Sequence, residues 1–433
     1  MNESLVLSIV LAVMVLFIVL MLSGKFNFAW IGFSCLCILV LTGASGIKDA
    51  MSGFYDKNVL MMAGMFAIAG MLGQTNLTDK IKSMLLSGKE SKSNDLKIVF
   101  SLMIVAAVLS QFMNSQSSII MIMLSFMMGI CEESNEVKLS RILLPLTFVM
   151  TSFMGKFPVG SMGVTTYLML NQFIEATGET RLLDLFSLMK CTLVPGIVGL
   201  LYCALTYKLL PKRDVDVSSL QGKKKNDAEE KLSPQKQKVV YAGFIVAIVG
   251  LFMAKPLGDR AYFIPLAVCM LMILFKVMDG NYFLNALMHG PVLMCATIMG
   301  IANILTASGA GNIIGELVLK LLGGNPSGIA IVSVFAFVTL IATSFISNTA
   351  TFMVLIPIAC NVCAAAGIDP RATVVAIFSC SLLSVITPMA NTGAAICYSA
   401  CNLNVKETFK WTVPGAVICT ILTIINCILV YPI

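Results

Sequence analysis

The sequence predicts an all-α polytopic membrane protein built as an inverted repeat, and three observations carry that prediction. The 433 residues are 58% hydrophobic and only 12% charged, with a mean hydropathy of +0.93, far outside the range of a soluble globular chain. The apolar runs are long and do not alternate, which favours a helical bundle over an outer-membrane barrel. The runs also recur in the same order on either side of a charged segment, so the chain divides into two similar halves.

The first half spans residues 1–211. Met1, Asn2, Glu3 and Ser4 supply no basic leader, so the first apolar run is expected to stay in the protein. Crossings are predicted at about 5–24, 27–46 and 58–76. Thr78 to Leu86 follows with Asp79, Lys80 and Lys82 on one face and Ile81, Met84 and Leu85 on the other, the pattern of a helix lying at the interface. Residues 96–131 are apolar over roughly twice the length that one crossing needs. They are interrupted by Gln111, Asn114, Ser115, Gln116, Ser117 and Ser118, so they read as a re-entrant hairpin with a polar tip. Residues 141–172 read as a crossing broken near Gly155, Lys156, Pro158, Gly160, Ser161 and Gly163. Proline removes a helix hydrogen bond, and the glycines loosen the backbone there. A crossing at 192–211 closes the half.

Residues 212–238 are polar and carry Lys223, Lys224 and Lys225, which marks a solvated linker. The second half, 239–433, repeats the first. Its crossings fall at 239–256, 261–279 and 291–306, with an amphipathic segment from Asn312 to Leu322. A hairpin at 328–366 has Ser344, Ser347, Asn348, Thr349 and Thr351 at its tip. A broken crossing at 371–402 and a last crossing at 411–431 complete it. Arg141, Pro158 and Gly163 align without a gap on Arg371, Pro388 and Gly393. Each half therefore has five crossings plus one hairpin. An odd number of crossings forces the halves into opposite orientations, as in many secondary transporters.

Charge sets the orientation. With the linker in the cytoplasm, 20 basic residues lie inside and 8 outside, Lys156 apart. Both termini are then outside, and the two hairpins enter from opposite faces of a plasma membrane. Their tips can meet near the midplane. Half-helix N-termini with free N–H groups suit an oxyanion, whereas exposed C-terminal carbonyls suit Na⁺. The predicted lining holds no acidic residue, so the expected substrate is an anion. The expected contacts are Asn114, Ser115, Gln116, Lys156, Ser347, Asn348, Thr349, Thr387, Pro388, Asn391 and Thr392.

Lys156 stands apart from the rest. Some fifteen helical residues beyond Arg141 rise about 22 Å, which places it deep in a hydrocarbon slab of roughly 30 Å. A lysine there costs about 3 kcal/mol unless it is paired or faces a cavity. It is expected to replace a first-half Na⁺ or to meet a substrate carboxylate; the alternative is a stem that snorkels to the interface. The fourteen cysteines are scattered through apolar runs and read as small hydrophobes, including Cys360 and Cys363. One histidine, His289, builds neither a metal site nor a charge relay. With no nucleophile and base pair in view, an enzyme is not expected.

Ser347-Asn348-Thr349-Ala350-Thr351, then Leu355-Ile356-Pro357-Ile358, then Thr387-Pro388-Met389-Ala390-Asn391 resemble the signature segments of the divalent anion/sodium symporter family, the SLC13-type permeases of the ion transporter superfamily. The resemblance covers nearly the whole layout and is strongest from about 340 to 400. It implies a homodimer in the bilayer, an elevator-type movement and Na⁺-coupled uptake of di- or tricarboxylates or sulfate. It implies neither a cofactor beyond the coupling ion nor nucleic acid as a partner. It also implies a second-half Na⁺ site at Ser344, Asn348, Thr387 and Ala390, and a first-half site at Asn114, Ser115 and Gly160. The first half departs from the family. It reads Phe112-Met113-Asn114-Ser115-Gln116 where a second Ser-Asn-Thr is expected, and Met154-Gly155-Lys156 where Gly-Gly-Thr is expected. A proton-coupled or exchange carrier, or a membrane anion sensor that does not transport, are the alternatives.

Overall fold

The computed structural model describes residues 3–23, 26, 28–76, 95–112, 116, 119–120, 123, 127, 138–158, 161–213, 232–252, 257–288, 290–321, 323–324, 326–388 and 391–431. Every element among the described residues is helical. The first-half helices are α1 (Glu3–Ser23), α2 (Phe28–Leu41), α3 (Lys57–Gly73), α4 (Asp95–Phe112), α5 (Leu139–Phe153), α6 (Ser161–Glu175) and α7 (Ser187–Thr206). After the linker come α8 (Pro234–Phe252), α9 (Ile264–Leu274), α10 (Gly280–Leu287), α11 (Gly290–Ala307), α12 (Ala310–Leu321), α13 (Gly328–Thr343), α14 (Asn348–Ala366), α15 (Arg371–Ser381), α16 (Thr392–Ala400) and α17 (Val405–Val430). The helices Ser187–Leu209, Asn348–Ala366 and Val405–Val430 are each long and apolar enough to cross a membrane, and shorter apolar helices accompany them.

The described helices occupy the apolar stretches expected from the sequence, with their ends shifted by a turn or two. α10 has no counterpart among the expected elements. It starts where the Asp279 carboxylate accepts the Asn281 N–H, a side-chain cap that the flanking apolar residues disguise. The amphipathic stretch 78–86, most of the second limb of the first hairpin and His289 lie outside the described residues.

Local chemistry sets the helix ends nearest the breaks. Ser327, Ser347 and Asn391 cap α13, α14 and α16 by accepting the N–H of Ala330, Ala350 and Ala394. Asn404 and Glu407 form a reciprocal capping box on α17. Gly367, at φ 69°, terminates α14 in the left-handed region that glycine adopts without strain.

The halves interlock rather than sit side by side. α4 packs on α5 as α13 packs on α15, and α5 packs on α7 as α15 packs on α17. α2 packs on α11 of the other half, α3 on α9, and α7 on α17. Of the second pieces of the broken helices, α16 packs on α5 of the other half, whereas α6 packs chiefly on α3 of its own half and also meets α14. Accordingly, one buried core joins α4, α5 and α7 to α16 and the first turns of α17, and the other joins α1–α3 and α6 to α8–α15. Trp411 pins the α7–α17 seam, donating from Nε1 to Thr206 Oγ1 at 2.7 Å while its carbonyl accepts from Tyr202 Oη at 2.6 Å. Its ring meets Phe148 of α5 edge-on at 6.2 Å.

Candidate functional site

Both breaks sit among buried polar groups that their own hairpins help to satisfy. In the second half, the Thr343 hydroxyl at the end of α13 donates to the Ser381 carbonyl at the end of α15 at 2.7 Å. It also lies 3.1 Å from Asn348 Oδ1. Thr387 Oγ1 donates to the Ser344 carbonyl. Asn391 reaches back across the break, its Nδ2 donating to the Ser384 carbonyl at 2.6 Å and to Ser384 Oγ at 3.0 Å, while Oδ1 caps α16 at 2.7 Å from the Ala394 nitrogen. The carbonyls of Ser344, Ser381 and Ser384 thus gather beside the first turns of α14 and α16. Such a place offers oxygens to a cation and N–H groups to an anion.

The first half uses the same construction with different residues. Gln111, near the end of α4, donates from Nε2 to the Phe153 carbonyl at the end of α5 at 2.9 Å, as Thr343 does to Ser381. The backbone turns sharply after Met154. Gly155 holds φ at 69°, and a β-carbon there would stand 2.9 Å from Thr166 Oγ1. At Gly163 a β-carbon would overlap the Phe157 carbonyl oxygen, so only glycine lets α6 begin this close to the break. Phe153 and Phe157 stack at 5.9 Å across it.

Gln116, at the first hairpin tip, links the two constructions. Its Nε2 lies 3.9 Å from Met154 Sδ, in the first break. Its Oε1 accepts from the Gly393 N–H at 3.4 Å, in the first turn of α16. A β-carbon on Gly393 would stand 3.1 Å from Thr147 Cγ2 and 3.2 Å from Ile120 Cδ1, which shows how closely α5 and the first hairpin approach this turn.

The sequence-derived candidates separate on this geometry. Gln116, Ser344, Ser347, Asn348, Thr387 and Asn391 lie on the hydrogen-bonded tips and breaks, with Thr349 and Pro388 half-buried beside them. Asn114, Ser115, Gly160 and Ala390 lie outside the described residues, and the side chain of Thr392 is not described. Lys156 is 4% exposed and so does not snorkel to an interface. Thr343, Ser381, Ser384 and Thr147 are partners that the sequence reading missed. Their signal was modest: single hydroxyls in apolar helices, which more often bond back to their own backbone.

The ends of the molecule are tied by charge. Near one end, Arg141 Nε donates to the Leu210 carbonyl at 3.1 Å, and Arg213 grips Glu407 through two bonds of 2.8 and 3.0 Å. Near the other, Arg371 pairs with Asp369 at 2.6 Å and lies 4.7 Å over the Tyr431 ring. In the exposed loop before α7, hydrogen bonds from Arg181 hold the Glu179 carboxyl down at about 2.

The model of a family described as citrate transporter (CitMHS) matches residues 18–265 and 251–432. A relative from Escherichia coli strain K12, the uncharacterized transporter YfbS, is 25% identical over 139 residues. That match takes in 32% of this chain and 22% of the relative, so the chain spans about a fifth of the relative's length. Two solved structures share the fold. The YdaH transporter of Alcanivorax borkumensis superposes with a TM-score of 0.57 at 12% identity, over 91% of this chain and 89% of that one. MtrF of Neisseria gonorrhoeae, from a class of antimetabolite efflux pumps, superposes with a TM-score of 0.52 at 14% identity, over 90% and 84%.

Proposed function

The chain belongs to the citrate transporter family of secondary transporters, and from that membership we propose that it carries a di- or tricarboxylate of the citrate class across the plasma membrane, driven by Na⁺. The single observation that best supports this reading is that the second break is bonded on both sides: Thr387 donates to the Ser344 carbonyl beside Asn348, and the Gly393 N–H, two residues after Asn391, donates to Gln116. Irregular backbone at membrane depth is stable where it lines a cavity or binds a solute. The anion takes the N–H groups at the starts of α14 and α16, with Ser347, Asn348, Thr349 and Thr392 as side-chain contacts. Gln116 adds the contact from the first hairpin, with Asn114 and Ser115 beside it.

Na⁺ takes carbonyl and hydroxyl oxygens at Ser344, Asn348, Thr387 and Ala390. The pairwise equivalence of packing in the two halves supports an inverted repeat that moves as an elevator. The grouping of Arg141, Arg213 and Glu407 near one end, against Asp369, Arg371 and Tyr431 near the other, supports the cytoplasmic linker and outward termini that the charge count favours. A homodimer completes the proposal.

Ligand-linked stability tests it directly. Citrate at one hundred times its Kd raises stability by about 2.7 kcal/mol. Purified protein is therefore expected to melt several degrees higher with citrate in Na⁺ than with citrate in choline. Equal melting with and without citrate in Na⁺ would refute the assignment.

A further inference from the structure

We propose that the pair α7–α17 carries a binding face for one anionic phospholipid, whose acyl chains lie along exposed residues of both helices and whose phosphodiester head meets Lys208, Lys406 and Lys410. The proposal needs only that the protein sits in a membrane, so it stands or falls apart from the choice of substrate.

The face follows from how the two helices pack. They close the two halves of the chain and run in opposite directions. Trp411, near the start of α17, donates to Thr206 at the end of α7, whereas Cys419, further along α17, lies 3.6 Å from the carbonyl of Pro195, further back on α7. The residues that meet in the seam are Tyr202 and Thr206 on one side and Trp411, Gly415 and Cys419 on the other. Leu201 and Leu205 stand one position before the first set, and Lys410, Pro414 and Ile418 one position before the second. All five are exposed. One residue turns a helix by about 100°. Because the helices are antiparallel, the same backward step aims both rows to the same side of the seam. The two rows thus form one continuous face, with a row of apolar residues from each half.

Charge marks one end of that face. Lys208 follows Leu205 in the short continuation of α7, Lys410 heads the row on α17, and Lys406 lies one turn before it; all three are exposed. Among the described residues none of them has an ion pair. Glu407, the acid between the two α17 lysines, is already held by Arg213 through two bonds and serves in the capping box of α17. The Lys208 ammonium lies 6.0 Å over the ring of Tyr207. At the opposite end of α7, by contrast, Lys190 is bonded to Asp184 at 2.9 Å. A face that is apolar along its length and cationic at one end fits a molecule with hydrocarbon chains and an anionic head. A zwitterionic lipid carries its own cation beside the phosphate and gains less. A second copy of the chain fits poorly, since two-fold pairing about the membrane normal sets the three lysines of one copy against those of the other.

Native mass spectrometry reads the retained lipid directly. Purified protein in detergent is incubated with equimolar phosphatidylglycerol and phosphatidylcholine before release. The wild type is expected to keep one phosphatidylglycerol, favoured over phosphatidylcholine by at least about tenfold. A lysine close to an anionic lipid surface is worth a factor of about five. The triple variant Lys208→Gln/Lys406→Gln/Lys410→Gln is therefore expected to lose the preference to below about a tenth of the wild-type value, and arginine at the same three positions to keep it. Lys223→Gln/Lys224→Gln/Lys225→Gln removes as much charge from the linker and is expected to leave the preference unchanged. A wild type with no preference, or equal losses in the two glutamine variants, would overturn the site. Displacement of the lipid by glycerol 3-phosphate, which has the head chemistry without the chains, would overturn the assignment to a lipid. A two-copy mass in the wild type that falls to one copy in the Lys208/Lys406/Lys410 glutamine variant would show instead that a second chain covers this face.

Discussion

Asn391→Ala should be the most informative single change in the second break, because one side chain there holds three bonds. Its Oδ1 caps α16, and its Nδ2 donates to the carbonyl and the hydroxyl of Ser384. A lost cap costs about 1 kcal/mol, within a range of 0.5–2. Each lost bond to a buried partner costs about another 0.5–1.5 kcal/mol. The sum is roughly 2–4 kcal/mol. Asn391→Ser keeps a capping oxygen but is too short to span the break, so it should lose only the two bonds to Ser384, about 1–3 kcal/mol.

Cys380, Cys397, Cys401 and Cys419 are buried around this region, so a dye that fluoresces on reacting with thiols reports its opening. For a chain of this size each kcal/mol moves the melting midpoint by about 1–2 °C. The expected drops are therefore about 2–8 °C for alanine and about 1–6 °C for serine, the alanine variant melting lower by the value of the lost cap. An alanine variant that melts within a degree of wild type, or a serine variant that melts as the alanine one does, would refute the claim that Asn391 ties the break together.

Gly163→Ala should push α6 away from Phe157. A drop equivalent to about 1–3 kcal/mol is expected, against a small gain if the glycine were merely a flexible helix position, and the same dye melt decides it. Trp411→Phe keeps the ring packing but removes the Nε1 bond to Thr206. It should cost about 1 kcal/mol, and little further loss is expected in a Trp411→Phe/Thr206→Val double variant. The Glu179–Arg181 pair depresses the folded carboxyl below its usual range, to about 2. Its contribution is therefore complete above the ordinary carboxylate range and fades as the pH falls toward 2. Melting of wild type and Arg181→Ala should differ slightly at neutral pH and converge in acid, the difference staying small because the arginine is half exposed.

The sequence announced the helices and the breaks because bilayer length and proline–glycine chemistry leave few alternatives. Arg141 and Arg371 start the two broken helices at or near their first residues, and Pro158, Pro388 and the paired glycines locate the interruptions. Ser347 and Asn391 were legible as tip and break residues; that they are also helix caps needed the backbone. The partners of those residues were not legible. Ser381 and Ser384 are hydroxyl residues in an apolar helix and its extension; only the close approach of α13 to α15 makes the Ser381 carbonyl a partner for Thr343, and only the course of the break brings Asn391 back to Ser384. The packing of α16 on α5 of the other half was equally hidden, because periodicity reports a buried face without saying what covers it. Lys156 shows both limits. Its place in the first break was legible from Gly155 and Pro158, whereas its burial, at 4% exposed, rests on packing that no local pattern reports.

The central claim is anion transport through the second hairpin and its break, and uptake of labelled citrate into vesicles containing wild type or Asn348→Ala tests it most directly. Uptake that depends on an inward Na⁺ gradient, and falls at least about tenfold when Asn348 loses its amide, is the predicted result; a fold loss of that size corresponds to about 1.4 kcal/mol. Wild-type uptake unaffected by the Asn348 substitution would contradict the placement of the substrate, and uptake indifferent to Na⁺ would contradict the coupling.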